Sequence, residues 1–247
     1  MVHKGLLTGG RESGRRVQFL IRPVLQDLNG DGFLDVVGSE AGKGQTAVFL
    51  GNARGFPKEP NTLINVDGWV FSHAVVDLSG KGRCDLIVTR VEKLGVWGAL
   101  RVLSTHSLDM QVLVYPCSDK GTIPDEPAFE KTLTYPFLLA VTAESVNTQS
   151  LRWESPSLVS FEGDLNGDGL KDLLLKPRVD RLEAHFGDPK EVFHSDPDLT
   201  LPISDTSNYA STEPLLSDLN GDGRTDIVLH HRDFTHQRNV FDILLSR

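Results

Sequence analysis

The chain has only two cysteines among its 247 residues, Cys84 and Cys117. Two are too few for a disulfide framework, and they read as an unbridged pair. Long apolar runs are missing as well: nothing approaches the roughly 18 residues that mark a membrane-spanning helix. Positive charge is in deficit, with 25 Lys and Arg against 34 Asp and Glu and a formal net charge of −9. That balance argues against nucleic acid as a partner, because phosphate binding needs a basic face. No N-x-[ST] glycosylation sequon occurs. The N-terminal stretch up to Ile21 lacks the order of a signal peptide, since Arg15 and Arg16 interrupt what would be its apolar centre. Met1 therefore reads as the start of a cytoplasmic protein, or of a mature or truncated form of a longer one. Nucleophile-elbow, zinc-protease and phosphate-loop motifs are absent. Helical periodicity is scarce, and its one candidate is the stretch Phe137 to Ser150. What remains is an ordinary soluble composition, 39% hydrophobic and 24% charged, with enough length to bury a core.

Against these absences stands one nine-residue loop written four times. Asp27 to Asp35 reads D-L-N-G-D-G-F-L-D, Asp164 to Asp172 reads D-L-N-G-D-G-L-K-D, and Asp218 to Asp226 reads D-L-N-G-D-G-R-T-D. The remaining copy, Asp77 to Asp85, reads D-L-S-G-K-G-R-C-D and has decayed. The loops start at Asp27, Asp77, Asp164 and Asp218, so the middle interval is much longer than the other two. A second landmark, an apolar residue followed by two variable positions, an acid and proline, recurs at Phe56–Pro60, Ile123–Pro127 and Phe193–Pro197. Its offset from the loop start is identical in the first unit, Asp27 to Phe56, and in the third, Asp164 to Phe193. In the second unit, Asp77 to Ile123, the offset is far longer. The second unit thus carries insertions, placed at about 89–110 and 135–157, rather than a hidden fifth unit.

Short β-branched or leucine runs flank each loop: FLIRPVLQ, FSHAVV, SPSLVSFEG and STEPLLS before it, DVVG, DLIVT, DLLLK and DIVLH after it. Such runs bounded by turn residues read as strands. A third run follows at Ala47–Leu50, Gln111–Tyr115, Leu182–Phe186 and Val240–Leu245, and a fourth strand is expected near each proline landmark. Repeats of about 50 residues with four strands are the size of β-propeller blades, which bury their faces only by stacking on neighbours. The expected fold is all-β, a single propeller or part of one over 1–247, with four blades visible at about 17–66, 67–135, 158–205 and 210–247. The fourth unit would reach its proline landmark at residue 247. Its outer strand is therefore expected from the segment around Leu6–Thr8, from further blades of a longer chain, or from another subunit.

The loop's chemistry follows from its oxygen spacing. Positions 1, 3, 5 and 9 are Asp, Asn, Asp and Asp in three copies: Asp27, Asn29, Asp31 and Asp35; Asp164, Asn166, Asp168 and Asp172; Asp218, Asn220, Asp222 and Asp226. Odd spacing in a tight loop turns successive side-chain oxygens inward. Position 7 can add a backbone carbonyl, from Phe33, Leu170 or Arg224. Hard oxygen donors in this number suit Ca²⁺ better than Mg²⁺, which keeps more of its water. An EF-hand shares the D-x-N-x-D-G opening but needs a glutamate at position 12 and flanking helices. Position 12 here is Gly38, Leu175 or Leu229, and the flanks read as strands. D-G and N-G turns also occur in hairpins without metal, but three copies with the same four oxygen-bearing positions favour calcium. In the decayed copy Ser79 and Lys81 replace the ligands at positions 3 and 5. Three calcium sites are expected, with Lys81 near Asp77 and Asp85 in place of the ion; the alternative reading is that Lys81 points into solvent.

These loops resemble the FG-GAP/VCBS repeats of integrin-α-like β-propellers, and Val48-Phe-Leu-Gly-Asn52 resembles the strand that follows such a loop. The resemblance implies a seven-bladed propeller with Ca²⁺ held between the first two strands of a blade. Only four units are visible, which departs from that pattern. It further implies an interaction or adhesion module with a protein or glycan ligand, lectin-like binding included, at an extracellular or envelope surface. The competing reading is a catalytic or non-catalytic domain of a larger extracellular enzyme. No catalytic constellation appears in the sequence. His230, His231 and His236 could suggest zinc, but adjacent residues on a strand point to opposite faces. Trp69, Trp97 and Trp153 read mainly as blade packing, with Trp97 the best placed of the three for a ligand. Loops carry function in β-proteins, so the two insertions are the expected specific surface.

Overall fold

A computed structural model describes residues 20–40, 44–82, 84–105, 107–118, 121–136, 159–206, 211–233 and 238–247. The chain divides into two compact units, residues 1–93 with 111–132, and residues 94–110 with 133–247. All sheets are antiparallel, and the strands of each follow one another in chain order or nearly so.

In the first unit, β1 (Leu20–Gln26), β2 (Asp35–Glu40), β3 (Gln45–Phe49) and β4 (Thr62–Asn65) form one meander. The next sheet runs β5 (Gly68–Val76), β6 (Asp85–Glu92), β7 (Ser107–Tyr115) and β8 (Phe129–Pro136), of which residues 107–110 and 133–136 are grouped with the second unit. Each acidic loop joins the first strand of a sheet to the second. Alternation decides the packing: β2 and β3 send Val37 and Val48 to the same side as Leu28 and Ile64, where they meet Val75, Leu86, Val88, Leu113 and Tyr115 of the second sheet. Both cysteines are buried in this core, and no disulfide joins them. The register of β1 on β2 shifts between Ile21 and Val24. Pro23 lies in that gap, where an imino nitrogen has no proton to donate to the ladder.

In the second unit, β9 (Val159–Gly163), β10 (Asp172–Arg178) and β11 (Arg181–His185) are followed by a two-stranded ribbon, β12 (Gly187–Asp188) with β13 (Val192–Phe193). β14 (Leu199–Pro202) then completes a four-stranded sheet ordered β14-β11-β10-β9. The last sheet holds β15 (Ser211–Ser217), β16 (Asp226–Asp233) and β17 (Arg238–Leu244). Leu165, Leu174, Leu182 and Ala184 pack with Ile227 and Leu229 between these two sheets. The fourth strand of the first three sheets comes just after the proline landmark, as the spacing predicts. The fourth sheet has three strands among the described residues, and Leu6–Thr8 lies outside them. Its outer face carries Leu215, Phe241 and Ile243, all exposed, and across it Leu215 pairs with Val228 and Val228 with Ile243.

One element departs from the all-strand expectation. Helix α1 (Val96–Thr105) lies between β6 and β7, inside the region read as an insertion, whose margins extend those two strands. Ala99 donates its amide to the Gly95 carbonyl at 2.9 Å and opens the helix. Ser104 and Thr105 hydroxyls both donate to the Arg101 carbonyl at 2.9 Å, competition that suits a helix end. No α1 residue is buried, so its apolar residues gave no core pattern to read. The other helix candidate, Phe137 to Ser150, lies outside the described residues.

Candidate metal loops

Each loop begins where the first strand of its sheet ends, and two glycines make its turn possible. Gly30 and Gly32 have φ of 74° and 87°, values an L side chain resists. The loop is then wound around its first aspartate. In the first copy Asp27 Oδ1 accepts the Gly30 amide at 2.7 Å and Oδ2 accepts the Gly32 amide at 2.8 Å. Asn29 Oδ1 accepts the Asp31 amide at 3.1 Å, and Asn29 Nδ2 donates to Asp31 Oδ2 at 3.1 Å. Asp31 Oδ1 accepts the Phe33 amide at 2.9 Å. The third copy repeats these bonds around Asp164, Asn166 and Asp168. The fourth repeats them around Asp218, Asn220 and Asp222. Positions 1, 3 and 5 are thus brought together at the surface. Position 7 contributes its amide to position 5 through Phe33, Leu170 and Arg224.

Position 9 belongs to a different environment. Asp35, Asp85, Asp172 and Asp226 are all buried. Asp35 Oδ2 accepts the Leu28 amide at 2.8 Å and Oδ1 the Gly51 amide at 2.8 Å. Asp172 is held the same way by Leu165 and Gly187, and Asp226 by Leu219 and Ser246. The carboxylate therefore ties the loop to the end of the third strand of its sheet. Burial pushes the carboxyls of Asp35 and Asp172 up, against the pull of these amides, and Asp172 reaches about 6. At Asp226 burial also pushes upward, but the amides of Leu219 and Ser246 and the Ser246 hydroxyl outweigh it, leaving the carboxyl below its ordinary range. The strand-end donors Gly51, Gly187 and Ser246 were not singled out by the sequence reading. Their signal is the Phe-x-Gly pattern at Phe49–Gly51, from which the other two copies diverge.

The decayed copy separates the two kinds of aspartate. Asp77 still accepts the Gly82 amide at 2.7 Å, and Asp85 still accepts a strand-end amide, that of Cys117, at 2.8 Å. Positions 1 and 9, which fold the loop, persist; positions 3 and 5, which fold nothing beyond their own turn, are gone. The expected placement of Lys81 is corrected: its side chain is exposed, and only its amide reaches Asp77, at 3.1 Å. Among the described residues its ammonium forms no ion pair. A four-carbon stem on an outward-facing turn gains more from hydration than from folding back over the loop.

Loops lie side by side within each unit. Cys84 donates its amide to the Leu28 carbonyl at 3.0 Å, and Thr225 donates its amide to the Asp164 carbonyl at 2.7 Å. A Cβ on Gly30 would come within 3.1 Å of the Gly82 carbonyl, a tight approach that adds to the strain of its positive φ and disfavours other residues there. Among the described residues no group of three or more His, Cys, Asp or Glu side chains is already gathered as a metal cage. The donors at positions 1, 3 and 5 nevertheless fit a hard cation in type, being oxygen throughout. Asp27 Oδ1 and Asp164 Oδ1 each accept two amides, but Asp27 Oδ2 and Asp164 Oδ2 accept one each, and a carboxylate oxygen that accepts one keeps a second lone pair.

This loop and its flanking strands have a known counterpart. Residues 27–88 match the model of the FG-GAP-like repeat. The matched FG-GAP-like repeat starts on the first loop aspartate, takes in β2 to β5 and the second loop, and ends within β6. Among solved structures the chain is similar to the rhamnogalacturonan lyase YesW, at 14% identity and a TM-score of 0.46. It is also similar to the exotype rhamnogalacturonan lyase YesX, at 15% and 0.43, and to Bacillus licheniformis rhamnogalacturonan lyase PL11, at 15% and 0.46. These alignments cover 85%, 83% and 85% of this chain and 40%, 37% and 40% of those chains. The chain thus spans about two fifths of the length of these structures. No curated protein matches the chain.

The other sequence candidates are dispersed. His230 and His231 take opposite faces of β16, His230 stacking on Phe241 and His231 buried against Thr212 and Asp242; His236 lies outside the described residues. Trp69 and Trp97 do not pack in a core: they are 57% and 84% exposed. Trp153 lies outside the described residues.

Proposed function

We propose that this protein is a calcium-stabilised β-propeller module that binds a protein or glycan partner in an extracellular or envelope setting. The observation that carries the calcium reading is the contrast between four loops on one scaffold. All four keep the aspartates that fold the turn. Three also keep an asparagine and an aspartate at the surface, where they have little structural work and the chemistry of hard-cation ligands. Ca²⁺ would be held by Asp27, Asn29 and Asp31, by Asp164, Asn166 and Asp168, and by Asp218, Asn220 and Asp222. The carbonyls of Phe33, Leu170 and Arg224 would add a backbone oxygen to each set, while the buried Asp35, Asp172 and Asp226 hold each loop to the end of the third strand. Its role is structural: it neutralises carboxylates crowded by the turn.

The propeller reading draws on the position-2 leucine. Leu28 and Leu165 are buried against the following sheet of their own units. Leu219, the same residue of the fourth loop, is 51% exposed. The exposed apolar face of β15–β17 asks for the same kind of cover, as expected of a blade whose neighbour would pack there.

Isothermal titration of the EDTA-stripped chain tests the metal. Three calcium ions should bind, Asp31→Asn, Asp168→Asn and Asp222→Asn should each remove one, and the stripped chain should melt several degrees lower. Absence of binding heat together with an unchanged melting temperature would sink the reading.

A further inference from the structure

Helix α1 presents its apolar stripe to solvent. Val96, Trp97, Leu100 and Leu103 are 77%, 84%, 51% and 63% exposed. Val96, Leu100 and Leu103 stand at i, i+4 and i+7, which aligns them on one face, with Trp97 beside them. The half-buried side belongs to the small Gly98 and Ala99 and to Val102. This is the inverse of an ordinary surface helix. The segment interrupts the β6-to-β7 connection, so no repeat requirement explains it.

We infer that α1 is a self-association surface whose occupant is the same stripe on a second copy of this chain. Three features favour a second copy. The stripe is uncharged, and the helix's single ionic side chain, Arg101, is held by Asp109 at 2.6 Å. A twofold axis near Leu100 sets Leu103 of one copy against Trp97 of the other, so the face is complementary to itself. The exposed fractions amount to roughly 500 Å² per copy, in the range where apolar patches mark interaction sites. Pairing two copies buries about 1,000 Å², the threshold for a specific but weak interface. A lipid surface is the poorer fit. Interfacial helices carry Lys and Arg on the polar face, whereas here the only basic residue is Arg101 and the molecule is acidic overall.

Sedimentation velocity on the full chain, from about 1 to about 500 μM, tests the inference. A monomer at low concentration should give way to a dimer with a dissociation constant of roughly 10–100 μM, the range of marginal interfaces. Trp97→Ser with Leu100→Ser should weaken dimerisation at least tenfold. Its melting temperature should not move, because no α1 residue is buried. The double variant Leu215→Ser with Ile243→Ser, on the other exposed apolar face, should dimerise as the parent does. Three results overturn the inference: a monomer throughout, a dimer lost only in the Leu215/Ile243 variant, or helix-dependent flotation with phosphatidylcholine vesicles without dimerisation.

Discussion

Lys176 sits at the end of a polar chain in the second unit. It is 2% exposed, and its ammonium donates to Thr206 Oγ1 at 3.0 Å and Thr212 Oγ1 at 3.3 Å. Thr212 hydrogen-bonds His231 at 3.0 Å, and His231 hydrogen-bonds Asp242 at 3.1 Å. Among the described residues no carboxylate pairs with Lys176, and burial pulls its pKa down to about 8. The unfolded chain, with an ordinary lysine, therefore binds more protons than the folded one between about pH 8 and 10.5. Stability should rise with pH across that window, and the full cost of burying the ammonium should persist below it. At about 1.36 kcal/mol per unit, that cost is on the order of 3 kcal/mol. Lys176→Met should stabilise the protein by about that amount at pH 7 and by little at pH 10.5, in denaturant titrations at the two pH values. The substitution strands neither hydroxyl, since Thr206 also donates to the Val179 carbonyl and Thr212 still meets His231. None of this is legible in D-L-L-L-K, where the lysine looks like a solvated strand end. The strand DLLLK aligns with DVVGS and DLIVT, whose Ser39 and Thr89 are also buried. The burial of position 13 belongs to the first three sheets and not to the residue type; His230, its counterpart in the fourth, is only half-buried.

At the scale of the element, the nine-residue loop is two devices in one sequence. Its glycines and its spacing were readable, because a left-handed turn and oxygen at alternate positions leave a pattern in the letters. The division of labour was not. Position 9 carries the same letter as position 1, yet it is buried and answers to an amide at the far end of the third strand in each intact loop. Such a partner becomes visible only when that strand is in place. The two devices fail differently. Asp35→Ala leaves the Leu28 and Gly51 amides unmet in the interior, and each unmet buried donor costs about 1–3 kcal/mol. It should destabilise the chain by roughly 2–4 kcal/mol with calcium or without it. Asp31→Ala removes an exposed turn acceptor, so in EDTA it should cost under about 1 kcal/mol. In calcium its cost should grow, because the metal's contribution is lost as well. Urea titrations of both variants in calcium and in EDTA give the four numbers. A calcium-independent, equal loss for the two variants would contradict the division.

For the molecule as a whole, the repeat spacing foretold four sheets in chain order, because each sheet is local in sequence and its period survives in the letters. Helix α1 and the exposed tryptophans escaped, since nothing in a repeat dictates what an insertion covers. The two units also differ in a way that follows directly from the loops. The first unit holds one intact loop, at 27–35, and the decayed loop at 77–85; the second holds two intact loops, at 164–172 and 218–226. A site with ligand at 100 times its dissociation constant stabilises its fold by about 2.7 kcal/mol. The three donor sets are alike at positions 1, 3 and 5, so chelation should withdraw about twice as much from the second unit as from the first. Hydrogen exchange followed by mass spectrometry reads this unit by unit. After EDTA treatment, amides of β9–β11 and β15–β17 should lose markedly more protection than those of β1–β6. An even loss across both units would mean that the loops bind no metal selectively, or that the units unfold only together. A larger loss in β5–β6, beside the decayed loop, would overturn the assignment of that copy as the one without calcium.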